Sequence, residues 1–176
     1  MPRLFAPALT LALALTLSAP ATAQSLQPAN PQIDYDGFVK RAAELAPVRE
    51  AHRLPWDQFI AKARAEGALL LDARSERAYT QGHIRGAVNL PFSDFTDAAL
   101  REVIGKNPNR PIYIYCNNNF TDNMAPVVTK RVDMALNIPT FVNLHGYGYG
   151  NVWELAGLVS TKGLGSDWVE GSLPST

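Results

Sequence analysis

Pro111-Ile112-Tyr113-Ile114-Tyr115-Cys116-Asn117-Asn118-Asn119-Phe120-Thr121 joins an apolar run to a polar turn, with the only cysteine of the chain at the junction. Ile112 to Tyr115 has the length and β-rich composition of a buried strand. A helix-compatible segment follows the asparagines. A thiol at the mouth of a strand–loop–helix turn sits where backbone N–H groups converge and the helix dipole favours negative charge. That setting favours the thiolate, which is the reactive form. A buried structural cysteine fits the same position, since free Cys is among the most buried residue types.

Working outward, short apolar runs alternate with helical patterns. Phe38, Ala42, Leu45 and Ala46 have helical spacing within Tyr35 to Leu45, and Pro47 is expected to end that helix. Pro55-Trp56 opens a second helix through about Ala65, with Gly67 as its C-cap. Ala68 to Leu71 is a strand of the buried parallel type. Ser75 to Tyr79 is a helical turn, and Ala87 to Leu90 a strand stopped by Pro91. Thr96 caps a helix to about Ile104. After Cys116, Asp122 or Asn123 is expected to cap a helix reaching Leu136, with Pro126 tolerated in its first turn. Thr140 to Leu144 reads as a strand, and Asn151 to Ala156 as a final helix. The alternation predicts an α/β fold with a mostly parallel sheet. In such sheets ligands bind outside the carboxyl ends of strands, where Cys116 falls.

Arg3, the apolar stretch Leu4 to Leu17 and Ala21-Thr22-Ala23 form a secretory signal pattern over residues 1–23. The apolar stretch is short for a membrane span. The expectation is an exported, periplasmic or secreted protein starting at Gln24, with no stable membrane insertion after cleavage. Residues 24–53 read as an N-terminal extension containing a helix, 54–160 as the domain, and 161–176 as a C-terminal tail. One cysteine cannot form a disulfide within its chain, so an exported protein of this kind carries a free or intermolecularly paired thiol. The 16 basic and 16 acidic residues balance, and no basic block marks a nucleic-acid footprint. Three scattered histidines and one cysteine lack metal-ligand spacing. Neither a metal nor another cofactor is expected.

Leu71-Asp72-Ala73-Arg74, then Tyr79, then Gly82-His83-Ile84-Arg85-Gly86-Ala87-Val88-Asn89-Leu90-Pro91 resembles the first signature of rhodanese-like domains. Cys116, about 25 residues beyond Pro91, matches that family's active-site cysteine. Leu144-His145-Gly146, Trp153 and Gly157 resemble its closing segment. The resemblance implies about five parallel strands flanked by helices on both faces. It also implies a thiol that accepts sulfane sulfur as a persulfide and passes it on. The partners would be a small sulfur-containing anion or persulfide donor and a thiol acceptor, with room for a protein partner. Family members active as sulfurtransferases commonly carry a cation five positions after the cysteine; here that position is Thr121, and 117–121 hold no Arg or Lys. The uncharged loop argues against a phosphatase, which needs a cation to clamp phosphate oxygens. It leaves open a persulfide carrier, a non-catalytic binding module and a single-thiol redox protein.

Cys116 is thus the candidate nucleophile, and the backbone of Asn117, Asn118, Asn119, Phe120 and Thr121 the candidate anion cradle. The asparagines suit a left-handed backbone, or offer amides to a substrate, or simply form a turn. Asp72 is expected to brace the loop through backbone N–H bonds, or to cap the Ser75 turn. Arg74 either faces the pocket or pairs with an acid such as Glu76 or Asp94. The resemblance makes His83 structural. His145, at the end of the next expected strand, is a candidate cation beside the thiol. The Gly-Tyr alternation of 146–150 either rims a pocket or leads flexibly into the last helix.

Overall fold

The computed structural model describes residues 30–65, 67–124 and 128–171. The expected signal segment and the expected role of Pro126 lie outside them. In chain order the elements are α1 (Tyr35–Ala51), β1 (Arg53–Leu54), α2 (Trp56–Ala63), β2 (Leu69–Asp72), α3 (Glu76–Gln81), β3 (His83–Ile84), β4 (Val88–Asn89), α4 (Asp97–Ile104), β5 (Ile112–Tyr115), α5 (Asn137–Gly146), β6 (Val152–Leu155) and β7 (Trp168–Val169). Five strands form a parallel sheet in the order β1-β6-β5-β2-β4. This is the fold class expected, with β5 in the middle and Cys116 at its carboxyl end.

Side-chain alternation along the strands builds two cores. Tyr113 and Tyr115 face Phe59, Ile60 and Ala63 of α2 and Tyr79 of α3. Ile112 and Ile114 face Leu100 and Ile104 of α4 and Phe141 and Leu144 of α5. Each of these buried aliphatic or aromatic side chains contributes on the order of 1.5–3 kcal/mol over an exposed one. Cys116 follows two residues after Ile114 and inherits its face, toward α5. The cap read at Thr96 is in place, accepting from the Ala99 N–H, while α3 is capped by Ser75, which accepts from the Ala78 N–H, and not by Asp72.

Four expectations are corrected. Pro47 lies inside α1, which continues to Ala51. An interior proline costs ~3 kcal/mol, and the last turn is held against that cost from outside. Arg49 pairs with Glu154, the His52 ring Nδ1 meets the Val152 carbonyl at 2.9 Å, and that ring stacks on Trp153. The helix expected from 122 to 136 is absent among the described residues, apart from one 3₁₀ turn at Val132–Met134. The strand expected at 140–144 lies within α5. Its buried residues Asn137, Thr140, Phe141 and Leu144 have helical spacing, and Pro139 sits harmlessly in the first turn. The helix expected at 151–156 is β6, which pairs in parallel with β5 and β1.

The C-terminal residues return to the domain. A 3₁₀ segment at Lys162–Asp167 leads to β7, which pairs antiparallel with β3. The Trp168 ring lies edge-on to Phe120 at 4.9 Å, and Gly82 lies directly beneath it.

Candidate functional site

Cys116 is only 1% exposed, yet it lines a pocket of about 370 Å³ together with Arg49, Arg53, Asn118, Asn137 and Glu154. The backbone N–H groups of Asn137, Asn118 and Leu136 lie close enough to its sulfur to favour the thiolate. The first and last of these belong to the N-terminus of α5. The cradle therefore has two origins. One amide comes from the loop after the cysteine, and two come from a helix that begins about twenty residues later. Of the loop backbone 117–121 expected to form it, only the Asn118 N–H is among these groups. The helix after the loop does bring its positive end to the thiol, from 137 rather than from 122.

The thiol is nonetheless harder to ionise than an ordinary cysteine. Burial is the largest cause, and the Glu154 carboxylate adds to it, while the three amides pull the other way without overcoming the sum. The resting group at neutral pH is the protonated thiol, opposite to the expectation from the strand–loop–helix position.

The three asparagines brace the loop. The Asn119 carbonyl oxygen accepts the Cys116 N–H at 2.9 Å, and its amide donates to the Leu155 and Gly157 carbonyls at 2.9 and 3.1 Å. Asn118 exchanges two hydrogen bonds with the Lys130 backbone, and Asn117 accepts from Arg74 Nη1 at 3.1 Å. Residues 117–119 form a 3₁₀ turn, and no described residue other than glycine has positive φ, so the expected left-handed backbone is not used. Phe120 is buried against Tyr115 and Trp168. Thr121 is exposed and donates its N–H to the Val159 carbonyl at 3.0 Å.

Asp72 and Arg74 form a buried pair under the loop. The Asp72 carboxylate accepts from Arg74 Nη2 at 2.6 Å, from Arg74 Nε and the Arg74 backbone N–H, and from the Tyr115 hydroxyl at 2.7 Å. Arg74 Nη2 also donates to the Gly82 carbonyl, and the guanidinium faces the rings of Tyr115, Phe120 and Trp168. Burial opposes the Arg74 charge, but the Asp72 carboxylate outweighs it and holds the proton more firmly than usual. Burial and the same carboxylate push the Tyr115 hydroxyl well up. The partner of Arg74 is thus Asp72, neither Glu76 nor Asp94. Asp72 reaches the loop through Arg74 rather than through loop amides.

His145 is not brought to the thiol. It lies eight residues along α5 from Asn137, about 12 Å at helical rise. Its Nδ1 meets the Phe141 carbonyl at 3.0 Å, and burial pulls its pKa down, so it supplies no cation at neutral pH. Tyr147 and Tyr149 direct their hydroxyls to the Phe95 and Gly105 carbonyls instead of rimming a pocket. His83 is buried, stacked on Tyr79 and bonded to its carbonyl.

Two residues beside the thiol escaped the sequence reading. Arg49 Nε and Nη2 grip Glu154 Oε2 and Oε1 at 2.7 and 2.6 Å. Glu154 Oε1 also accepts from Asn137 Nδ2 at 3.3 Å, and the same amide donates to Asn119 at 3.0 Å. A continuous polar chain thus runs from α1 through β6 and the start of α5 to the Cys116 backbone. The available signal was Glu154 within an otherwise apolar segment, since a buried carboxylate requires a partner.

A family model described as Rhodanese-like domain matches residues 56–157. No curated protein matches the chain. Among solved structures, the chain is similar to the Alr3790 protein from Anabaena sp., at 24% identity over 64% of this chain and 77% of that one, with a TM-score of 0.44. It is similar to the BH2092 protein from Bacillus halodurans at 18% identity, over 68% of this chain and 76% of that one, with a TM-score of 0.42. It is also similar to the 30 kDa polysulfide-sulfur transferase homodimer from Wolinella succinogenes, at 13% identity over 73% and 85% of the two chains, with a TM-score of 0.39. Among the described residues no helix is long and apolar enough to cross a membrane.

Proposed function

Starting from a chain that belongs to the rhodanese-like domain family, we propose that it carries sulfane sulfur as a persulfide on Cys116. The observation that carries this reading is the place of Cys116 at the carboxyl end of β5, lining a pocket, with the Asn118, Leu136 and Asn137 N–H groups near enough to its sulfur to favour the thiolate. Backbone amides placed in this way favour an anionic sulfur without a side-chain cation. In the first half-reaction the Cys116 thiolate attacks the outer sulfur of a donor. A new S–S bond joins that outer sulfur to Cys116, and the rest of the donor, a thiolate or sulfite, leaves with the electron pair of the broken bond. In the second, an acceptor thiolate attacks the outer sulfur of the Cys116 persulfide, takes it as the acceptor's own persulfide, and the Cys116 thiolate departs with the electron pair of the broken S–S bond. Because the resting thiol is protonated, a base or high pH must remove its proton first, and transfer is expected to be slow at neutral pH. The reading includes export after removal of residues 1–23, supported by the charged, apolar and small-residue sequence of that segment.

The deep burial and raised pKa of Cys116 favour a second reading, a non-catalytic module that holds a partner or ligand in the same pocket. One experiment separates the two. The purified protein is incubated with thiosulfate and with glutathione persulfide, then weighed. A 32-dalton gain that is lost in Cys116→Ser supports sulfur carriage. No gain with either donor, or a gain that survives Cys116→Ser, rejects it.

A further inference from the structure

We propose that Arg53 makes an organic-anion subsite of the Cys116 pocket, with Arg49 as its positioning residue, so that the N-terminal segment outside the matched family region selects the sulfur compound. This rests on the reading of Cys116 as sulfur carrier and names the class of donor: an organic persulfide bearing a carboxylate or similar anion.

The argument begins with charge. Arg49 and Glu154 offset each other's charge through two short hydrogen bonds, and Glu154 accepts a third from Asn137. The charge of Arg49 is thus largely spent on a buried carboxylate. Arg53 is different. It is aligned with Glu154 in the β1–β6 ladder and lines the same pocket. Its partner is Glu50, whose side chain is 72% exposed, and the Arg53 side chain is itself 35% exposed. Such a surface pair is weak, and a ligand carboxylate competes with it readily. Arg53 is thus the guanidinium of this pocket that is open to exchange, and its fork matches a carboxylate.

Size and lining give the rest. A volume of about 370 Å³ suits a small organic molecule and exceeds what a bare inorganic sulfur oxyanion fills. Val132, 85% exposed, and Leu158, 68% exposed, stand over this pocket. Two apolar side chains in water beside a thiol offer a surface for the body of an organic ligand. The Arg49–Glu154 pair fixes the end of α1 against β6 and so sets where β1, and Arg53 on it, stands.

In the reaction, the Cys116 thiolate attacks the outer sulfur of R–S–SH. The S–S bond of the donor breaks, R–S⁻ departs with its electron pair, and the persulfide proton passes to it. The products are Cys116–S–S⁻ and R–SH.

The test separates binding from chemistry. Calorimetry measures binding of S-methylglutathione, which bears carboxylates and transfers no sulfur, to the full chain and to Cys116→Ser. Both are expected to bind it. Arg53→Gln is expected to weaken binding about tenfold, the loss of one charge-assisted hydrogen-bond pair. Arg53→Lys is expected to recover part of it, and the dimethyl ester of the probe to bind the wild type about tenfold more weakly. Arg101→Gln, on the exposed face of α4, is expected to bind like the wild type. Absence of binding to the wild type, or equal affinity in Arg53→Gln, overturns the subsite. Binding that depends on Arg53, without a 32-dalton gain from any donor, upholds the subsite and rejects sulfur carriage.

Discussion

The side-chain carbonyl of Asn119 accepts the backbone N–H of Cys116 at 2.9 Å, while Asn137 donates to the same oxygen at 3.0 Å. One buried amide thus ties the end of β5 to the start of α5 and, through Leu155 and Gly157, to the end of β6. Asn119→Ala strands several buried polar groups at once. It is expected to cost ~2–4 kcal/mol in urea unfolding. It is also expected to change the alkylation rate of Cys116, because two of the three amides aimed at the sulfur start α5.

The Asp72–Arg74 pair is buried and central to the domain. Asp72→Asn leaves a guanidinium uncompensated among aromatic rings and is expected to cost ~3–5 kcal/mol by chemical denaturation. Tyr115→Phe removes one hydrogen bond to the same carboxylate, and a smaller loss of ~1–2 kcal/mol is expected. Equal losses in the two variants would show that the aromatic setting, not the charge pair, carries the stability.

Alkylation of Cys116 by iodoacetamide is expected to rise with pH and to reach its midpoint above that of an ordinary thiol, since burial and Glu154 both disfavour the thiolate. Glu154→Gln is expected to move the midpoint down. The stability linkage has the matching sign. The folded state holds the thiol proton more tightly than the unfolded chain, so stability is lost as pH rises past the unfolded thiol value. Cys116→Ser is expected to remove that alkaline loss from melting curves.

Asp122 accepts the Ser160 hydroxyl and the N–H groups of Thr161 and Lys162. The Thr161 N–H is the main cause of a pKa lowered to about 2 from 3.8. A depressed carboxylate stabilises above its unfolded value and loses that contribution as pH falls through its folded one. Melting temperatures of the wild type and Asp122→Ala are expected to differ by a constant amount above about pH 4. They are expected to converge as pH approaches 2. A difference that persists unchanged into acid would remove the carboxylate from the account.

Gly82 has an extended backbone, and its need for glycine is steric. A Cβ there would lie 2.5 Å from atoms of the Trp168 ring. Gly82→Ala is expected to destabilise by ~1–3 kcal/mol. Most of that loss should vanish when it is combined with Trp168→Ala, giving a coupling readable in a double-mutant cycle. Additive effects would place the strain elsewhere.

The first half of the domain was legible because its signals are local. Thr96 caps where the sequence says it does, and the apolar runs 68–71 and 112–115 mark the strands Leu69–Asp72 and Ile112–Tyr115. Beyond Cys116 the signals mislead. Thr140 to Leu144 is rich in β-formers, yet it is helical because Asn137, Thr140, Phe141 and Leu144 share one buried face. Val152 to Leu155 contains a carboxylate, which masks a strand whose partner charge lies on α1 more than a hundred residues earlier. The site was legible to the same extent. Cys116 and Asp72 follow from their strands, whereas Arg49, Arg53 and the α5 amides belong to elements that only tertiary packing brings to the sulfur. Trp168 gave no sign of its partner, because a two-residue strand has no period to read.

The amides around Cys116 come from stretches that insertion or deletion can move independently, since residues 120–136 separate the cysteine turn from α5. A library that varies only the five positions after the cysteine would explore one of the three N–H donors and leave the other two untouched. Tuning of this sulfur by evolution or by design would therefore act through the length and anchoring of that intervening excursion, and a relative with an identical pentapeptide but a shorter excursion would be expected to hold its thiol at a different acidity.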